Sequence, residues 1–228
     1  GAEEVCDGID NDCDGQVDPC RDLDNADAKM LGVNAGDQAG YAVAAGNDLN
    51  GDGLGDVLIG APGMDQDGTN TGAVYVVHGP IQGELNLTDA DARIYGAETD
   101  DHIGYALASV GDLNQDGFID VFIGAWGDDS NGSFAGAAWV VHGPVQGDIY
   151  LEEEELVFYG EMSGDNAGTA VASAGDVNDD GWIDLMIGAP NHDPGGAVST
   201  GTVYLLYGPH NDELELDRAD AQLLGENT

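Results

Sequence analysis

A 228-residue chain with 45 Asp and Glu against four Lys and Arg carries a formal charge of -41, yet 42% of it is apolar. That apolar share is too high for a disordered acidic tail, so a folded object carries the charge. With no basic face to neutralise phosphates, nucleic acid and anionic membrane surfaces are excluded as partners, and no apolar run is long enough for a membrane span.

The chain opens on a leader, residues 1–21, which holds all three cysteines, Cys6, Cys13 and Cys20, at intervals of seven. Clustered cysteines among acidic residues read as an oxidised extracellular clasp, with one thiol left over by the odd count. Among them Asp10, Asp12, Asp14 and Asp18 stand at positions 1, 3, 5 and 9 of a loop with Gly15 at position 6. A hard cation such as calcium takes about six to eight oxygens, several of them carboxylates, and the Gly makes the sharp turn. By analogy Gln16, at position 7, adds a backbone carbonyl. Neither His nor Met occurs in this loop, which favours calcium over a softer metal.

From residue 22 to 228 the chain repeats itself every 64 residues, in copies near 36–99, 100–163 and 164–228. Each copy begins with a strand-length run of small residues, at 39–44, 103–108 and 167–172. The acidic loop follows. Its side-chain oxygens are Asp48, Asn50, Asp52 and Asp56 in the first copy and Asp112, Asn114, Asp116 and Asp120 in the second. In the third copy they are Asp176, Asn178, Asp180 and Asp184, and position 7 offers the carbonyls of Leu54, Phe118 and Trp182. Metal-free turns also favour Asp, Asn and Gly. They do not need carboxylates on alternate positions three times over, whose repulsion a cation would relieve. With the leader, about four calcium ions per chain are expected. These offset only part of the negative charge, and the rest reads as a solubility device or an adaptation to salt.

An apolar run comes next (57–62, 121–126, 185–190), then a Gly-led strand (72–77, 136–141, 201–206). A Gly-Pro turn follows at Gly79-Pro80, Gly143-Pro144 and Gly208-Pro209, and a last run closes the unit at 92–96 and 156–160. Four such runs per repeat predict an all-β chain of three four-stranded antiparallel β-propeller blades, with a short irregular metal-binding loop ahead of them. The small residues of the first strand suit the crowded propeller axis. Residues 23–35 match 216–228 and read as the opening strand of a further blade. Propellers close with about four to eight blades, so three predict an open arc, closed by other copies or by blades of a longer protein. End-to-end joining of copies into a ring or filament is the favoured expectation.

The remaining candidates carry less. His78 and His142 are equivalent and Tyr207 replaces them in the third copy, which suits packing at a strand end. His102, His192 and His210 show no zinc spacing, and no Ser sits in a Gly-x-Ser-x-Gly turn. The run from Glu152 to Glu155 reads as a solvated edge. Asn86-Leu87-Thr88 and Asn131-Gly132-Ser133 fit the N-glycosylation pattern. Loops 63–71, 127–135 and 191–200 vary most between copies, so Asp65, Asp67, Asp128, Asp129 and Asp193 are candidates for touching a partner, such as a protein or glycan ligand, or further cations.

The repeat resembles the FG-GAP repeat of integrin alpha-type propellers: the acidic loop is followed by Gly60-Ala61-Pro62 and Gly188-Ala189-Pro190, with Gly124-Ala125-Trp126 in the middle copy. The family's Phe before Gly is replaced by Ala39, Ile103 and Ala167. The leader resembles a Cys/Asp-rich metal-binding motif of bacterial surface proteins, which implies a disulfide between Cys6 and Cys13. That motif is associated with copper, against the oxygen-only ligands present here. The resemblance implies a non-enzymatic, calcium-binding adhesion or structural module at the cell surface. The rival readings are a truncated receptor head and a propeller-based extracellular hydrolase.

Overall fold

The computed structural model describes residues 23, 26–66, 68–96, 98–151, 156–193, 200–210 and 214–225. The leader's candidate ligands, its cysteines, Asp67 and Glu152 to Glu155 lie outside these residues. The rest is nearly all strand and turn, in three repeated sheets and one two-stranded sheet.

The first blade is an antiparallel meander of β2 (Val43–Asn47), β3 (Asp56–Ala61), β4 (Ala73–Val77) and β6 (Ala92–Tyr95). The second uses β7 (Ala106–Gly111), β8 (Asp120–Ala125), β9 (Ala137–Val141) and β11 (Leu156–Tyr159). The third uses β12 (Ala170–Gly175), β13 (Asp184–Ala189), β14 (Thr202–Leu206) and β16 (Ala221–Leu224). The innermost strands β2, β7 and β12 neighbour one another from blade to blade, where their Ala and Gly allow close approach.

Each unit also holds a strand that the four-run reading did not contain. β5 (Gly83–Asn86), β10 (Gly147–Tyr150) and β15 (Leu214–Glu215) leave their own unit and pair in parallel with an earlier outermost strand. β10 lies on β6, with Gly147 opposite Ala92, and β15 lies on β11. β5 pairs in the same way with β1 (Ala28–Leu31), with Ala28 opposite Gly83. β1 therefore holds the place of an outermost, closing strand, like β6 and β11. This corrects the expectation that residues 23–35 open a blade: β1 and β16 are duplicates of one strand.

Blade-to-blade packing follows from strands apolar on both faces. One buried cluster joins Leu58, Val74, Val76 and Ile94 of the first blade to Val121, Ile123 and Val141 of the second. Another joins Phe122, Val140 and Phe158 to Leu185, Ile187, Tyr204 and Leu206 of the third. Each blade also plugs into the one before it. Ile103 and Ala167, where the family has Phe, bridge in parallel to Gly72 and Gly136 and are buried.

The Gly of Gly-Ala-Pro now has a steric cause. A β-carbon on Gly60 would collide with the Gly104 carbonyl, and one on Gly124 with the Gly168 carbonyl. Backbone cannot step aside as a side chain can. Gly124→Ala is expected to lower stability by about 1–3 kcal/mol, read as a shift in denaturation midpoint at unchanged slope.

Candidate metal centres

Each acidic loop begins at a bulge. The β2–β3 register slips between Ala45 and Asn47, and the other two blades slip at Ser109/Gly111 and Ser173/Gly175. The residue before the first Asp is left-handed in every copy: Asn47 (φ 56), Gly111 (φ 85) and Gly175 (φ 70). Asn and Gly tolerate that conformation, and the bulge turns the next carboxylate into the loop. The Gly at position 6 is likewise required, with φ of 87, 98 and 90 at Gly53, Gly117 and Gly181.

Inside the first loop, Asp48 Oδ1 accepts the amides of Gly51 (2.7 Å) and Asp52 (2.9 Å), and its Oδ2 accepts Gly53 N–H at 2.8 Å. Asn50 Oδ1 accepts the same Asp52 amide at 2.9 Å, so the oxygens of positions 1 and 3 converge on one nitrogen. Asp52 Oδ1 accepts Leu54 N–H at 2.8 Å. The second loop repeats this with Asp112 and Asn114 Oδ1 both 3.0 Å from Asp116 N. The third does so with Asp176 and Asn178 Oδ1 both 3.0 Å from Asp180 N. One geometry recurs three times.

Position 9 is placed differently. Asp56, Asp120 and Asp184 are 3%, 0% and 0% exposed, whereas Asp52, Asp116 and Asp180 face solvent. Their Oδ2 atoms accept the position-2 amides of Leu49, Leu113 and Val177 at 2.8, 2.7 and 2.8 Å. Their Oδ1 atoms accept Gly79, Gly143 and Gly208 N–H at 3.0, 2.9 and 3.0 Å. The ninth carboxylate thus staples the loop to the Gly-Pro turn. No three His, Cys, Asp or Glu side chains gather tightly enough to hold an ion among the described residues. The loop itself gathers two carboxylates and one amide oxygen on neighbouring amides, a hard donor set that fits a divalent cation such as calcium. Position 9 keeps lone pairs free beyond its two amide bonds.

The histidines at the strand ends are structural. His78 Nε2 contacts Val145 O at 3.2 Å across the blade boundary, and His142 Nδ1 lies 3.3 Å from Asp120 Oδ1.

A second repeated feature lies in the packed blades. Asp37, Asp101 and Asp165 stand at one repeat position and are all buried. The turn after the second strand of each blade puts Met64, Asp128 or His192 at one equivalent position. In the third blade His192 Nδ1 lies 2.8 Å from Asp165 and Nε2 3.3 Å from Glu161, which also accepts Tyr204 OH at 2.9 Å. Asp128 is buried, which removes it from the candidates for touching a partner. Burial, then the charges of Asp128 and Glu98, pushes Asp101 up to about 8. The folded state therefore holds a proton that the unfolded state releases near the ordinary carboxylate range. The stability it lends is full in acid and is lost as pH rises towards 8. Asp101→Asn is expected to flatten the fall in melting temperature between pH 5 and pH 8, while the wild type keeps its slope.

At the other ends of the strands, aromatic rings gather where the copies differ. Trp126, which stands in place of Pro, lies 4.7 Å from His102, 5.9 Å from Tyr105 and 5.9 Å from Phe134. Tyr41, 51% exposed, lies 4.6 Å from Tyr105. Of the two glycosylation patterns, Asn131 spends its amide on Gly160 O at 2.7 Å, and Asn86 accepts from Thr88.

Residues 39–77 and 167–206 match the family described as FG-GAP repeat, and residues 1–19 match one described as "Putative metal-binding motif". A phosphatidylinositol-glycan-specific phospholipase D of Rattus norvegicus is 34% identical over 199 residues, 81% of this chain and 23% of that protein. Integrin alpha-11 of Homo sapiens is 32% identical over 163 residues, 70% of this chain and 13% of the integrin. Integrin alpha-5 of Xenopus laevis is 32% identical over 179 residues, 73% of this chain and 16% of the integrin. The chain thus spans less than a quarter of each of these relatives.

Proposed function

Because this chain carries FG-GAP repeats of the integrin alpha type behind a metal-binding motif, we infer that it is a calcium-clamped, non-enzymatic recognition module of an extracellular surface. The observation that carries this reading is the shared geometry of the three loops, where position-1 and position-3 oxygens meet at one amide. Such loops, with their fifth-position carboxylates open to solvent, suit the calcium range of extracellular modules, about 10⁻⁴–10⁻³ M. The clustered cysteines agree with that compartment. Calcium supplies the positive charge that joins the two strands flanking each loop. The chain's own groups hold the loop open through the bulge, the position-6 Gly and the position-9 staple.

Adhesion is the activity this reading favours, with a protein or glycan ligand met by loops 63–71, 127–135 and 191–200. Assembly of copies into a ring or filament is the finer reading. It would require β16 of one copy to displace β1 of the next, since both fit the same strand. A module carried by an extracellular hydrolase is the second reading, favoured by the likeness to a phospholipase D. In that case the module would still bind calcium. Native mass spectrometry of chelated protein titrated with calcium tests the main reading. Stepwise uptake of four ions is expected, and no saturable uptake would overturn it.

A further inference from the structure

We propose that the three blade loops bind calcium as one coupled row rather than as independent sites, with Phe118 and Gln115 as the couplers; this rests on the calcium reading above.

The loops touch one another at residues inside their own metal circuits. Phe118 offers the position-7 carbonyl of the second loop, and its ring roofs the first loop at Gly51, where a β-carbon would lie 3.0 Å from Cε1. Gly51 is position 4, left-handed with φ 80. On the other side Gln115, position 4 of the second loop, donates from Nε2 to Gly181 O at 3.4 Å. Gly181 is position 6 of the third loop, and its N–H already holds Asp176 Oδ2 at 2.8 Å. The loop roots are joined too. Asn47, next to Asp48, donates to Ser109 Oγ at 2.9 Å, and Ile183 Cδ1 abuts Gly111, next to Asp112. The second loop is therefore the hub, with a contact to each neighbour at tip and root.

Two effects oppose each other. An ion in one loop weakens the field drawing the next ion, but dissolved salt screens charges beyond about 8 Å at physiological ionic strength. Ordering a loop around its ion also fixes the ring or amide that it lends its neighbour, so that part of the ordering entropy is incurred only once. At about 0.15 M salt the second effect wins and coupling is positive. At about 0.01 M, where the screening length reaches about 30 Å, coupling falls or reverses.

The test uses the full chain with calcium as the only ligand. Trp182, at position 7 of the third loop, reports that site by its emission, and Leu54→Trp in a Trp182→Phe background reports the first. Silencing the second loop with Asp116→Ala is expected to weaken both reported sites about fivefold. Phe118→Ala should weaken the first site alone and Gln115→Ala the third alone, with the number of ions taken up unchanged. Both leave every candidate ligand atom in place, so they decide the matter if Asp116→Ala unfolds. Unchanged midpoints in all three variants overturn the coupling and leave the calcium reading standing. No uptake by the wild type overturns both.

Discussion

Chelation of the loaded protein is expected to lower its stability by roughly 8 kcal/mol, the largest change any single treatment should produce. A ligand at 100 times its dissociation constant stabilises the folded state by about 2.7 kcal/mol per site, and three blade loops share one geometry. For a chain of this size each kcal/mol moves the melting temperature by about 2–4 °C, so a drop of roughly 15–30 °C should follow. The cause is local. The carboxylates of positions 1 and 5, such as Asp48 and Asp52, sit on neighbouring amides of one short loop, and without a cation their repulsion would go uncompensated. Calorimetry with calcium held about 100-fold above its dissociation constant, against chelator at equal ionic strength, gives the answer. Magnesium should rescue poorly, because it demands tighter octahedral geometry and gives up water reluctantly. A drop of under about 3 °C would mean that the loops stand without an ion.

How much of this was legible beforehand depends on whether the physics was local. The period and the acidic loops could be read because the turn itself demands them: Gly at position 6, and Asn47, Gly111 and Gly175 where the bulge is left-handed. The blade's four strands were equally plain as apolar runs. The strands β5, β10 and β15 were not, since each is two to four residues long and finds its partner in a different unit. Gly83-Glu84-Leu85-Asn86 shows too little alternation to announce a strand, and nothing local names β1 as its neighbour. The same limit hid Asp37, Asp101 and Asp165. They recur at the repeat interval, but one Asp among 45 acidic residues says nothing of burial until the blades are packed. His192 was a scattered histidine in the sequence, and only the fold brings Asp165, 27 residues away, within 2.8 Å.

Position 9 is where pattern and structure part most usefully, and Asp120→Ala is the variant that separates them. Spacing alone makes Asp120 one more oxygen for the ion. The structure buries it completely and gives both oxygens to backbone amides, Leu113 N–H at 2.7 Å and Gly143 N–H at 2.9 Å. Bonds to an ionised acceptor are the stronger kind, and each buried amide orphaned by the substitution costs about 1–3 kcal/mol. A loss of roughly 2–6 kcal/mol is therefore expected from two orphans. Asp120→Asn should lose about half as much, because one carbonyl oxygen can still serve one amide while the NH2 group faces the other. The discriminating measurement is made in chelator. Asp116→Ala removes an exposed side chain whose chief partner would be the ion, so its cost should shrink once calcium is gone. Asp120→Ala should cost nearly the same with or without calcium, because its amides lie within the protein. Loss of the Asp120→Ala penalty in chelator would return position 9 to the metal alone. Persistence would make it the hinge on which the loop is held ready between ions, joining Leu113 to a turn 30 residues further along the chain.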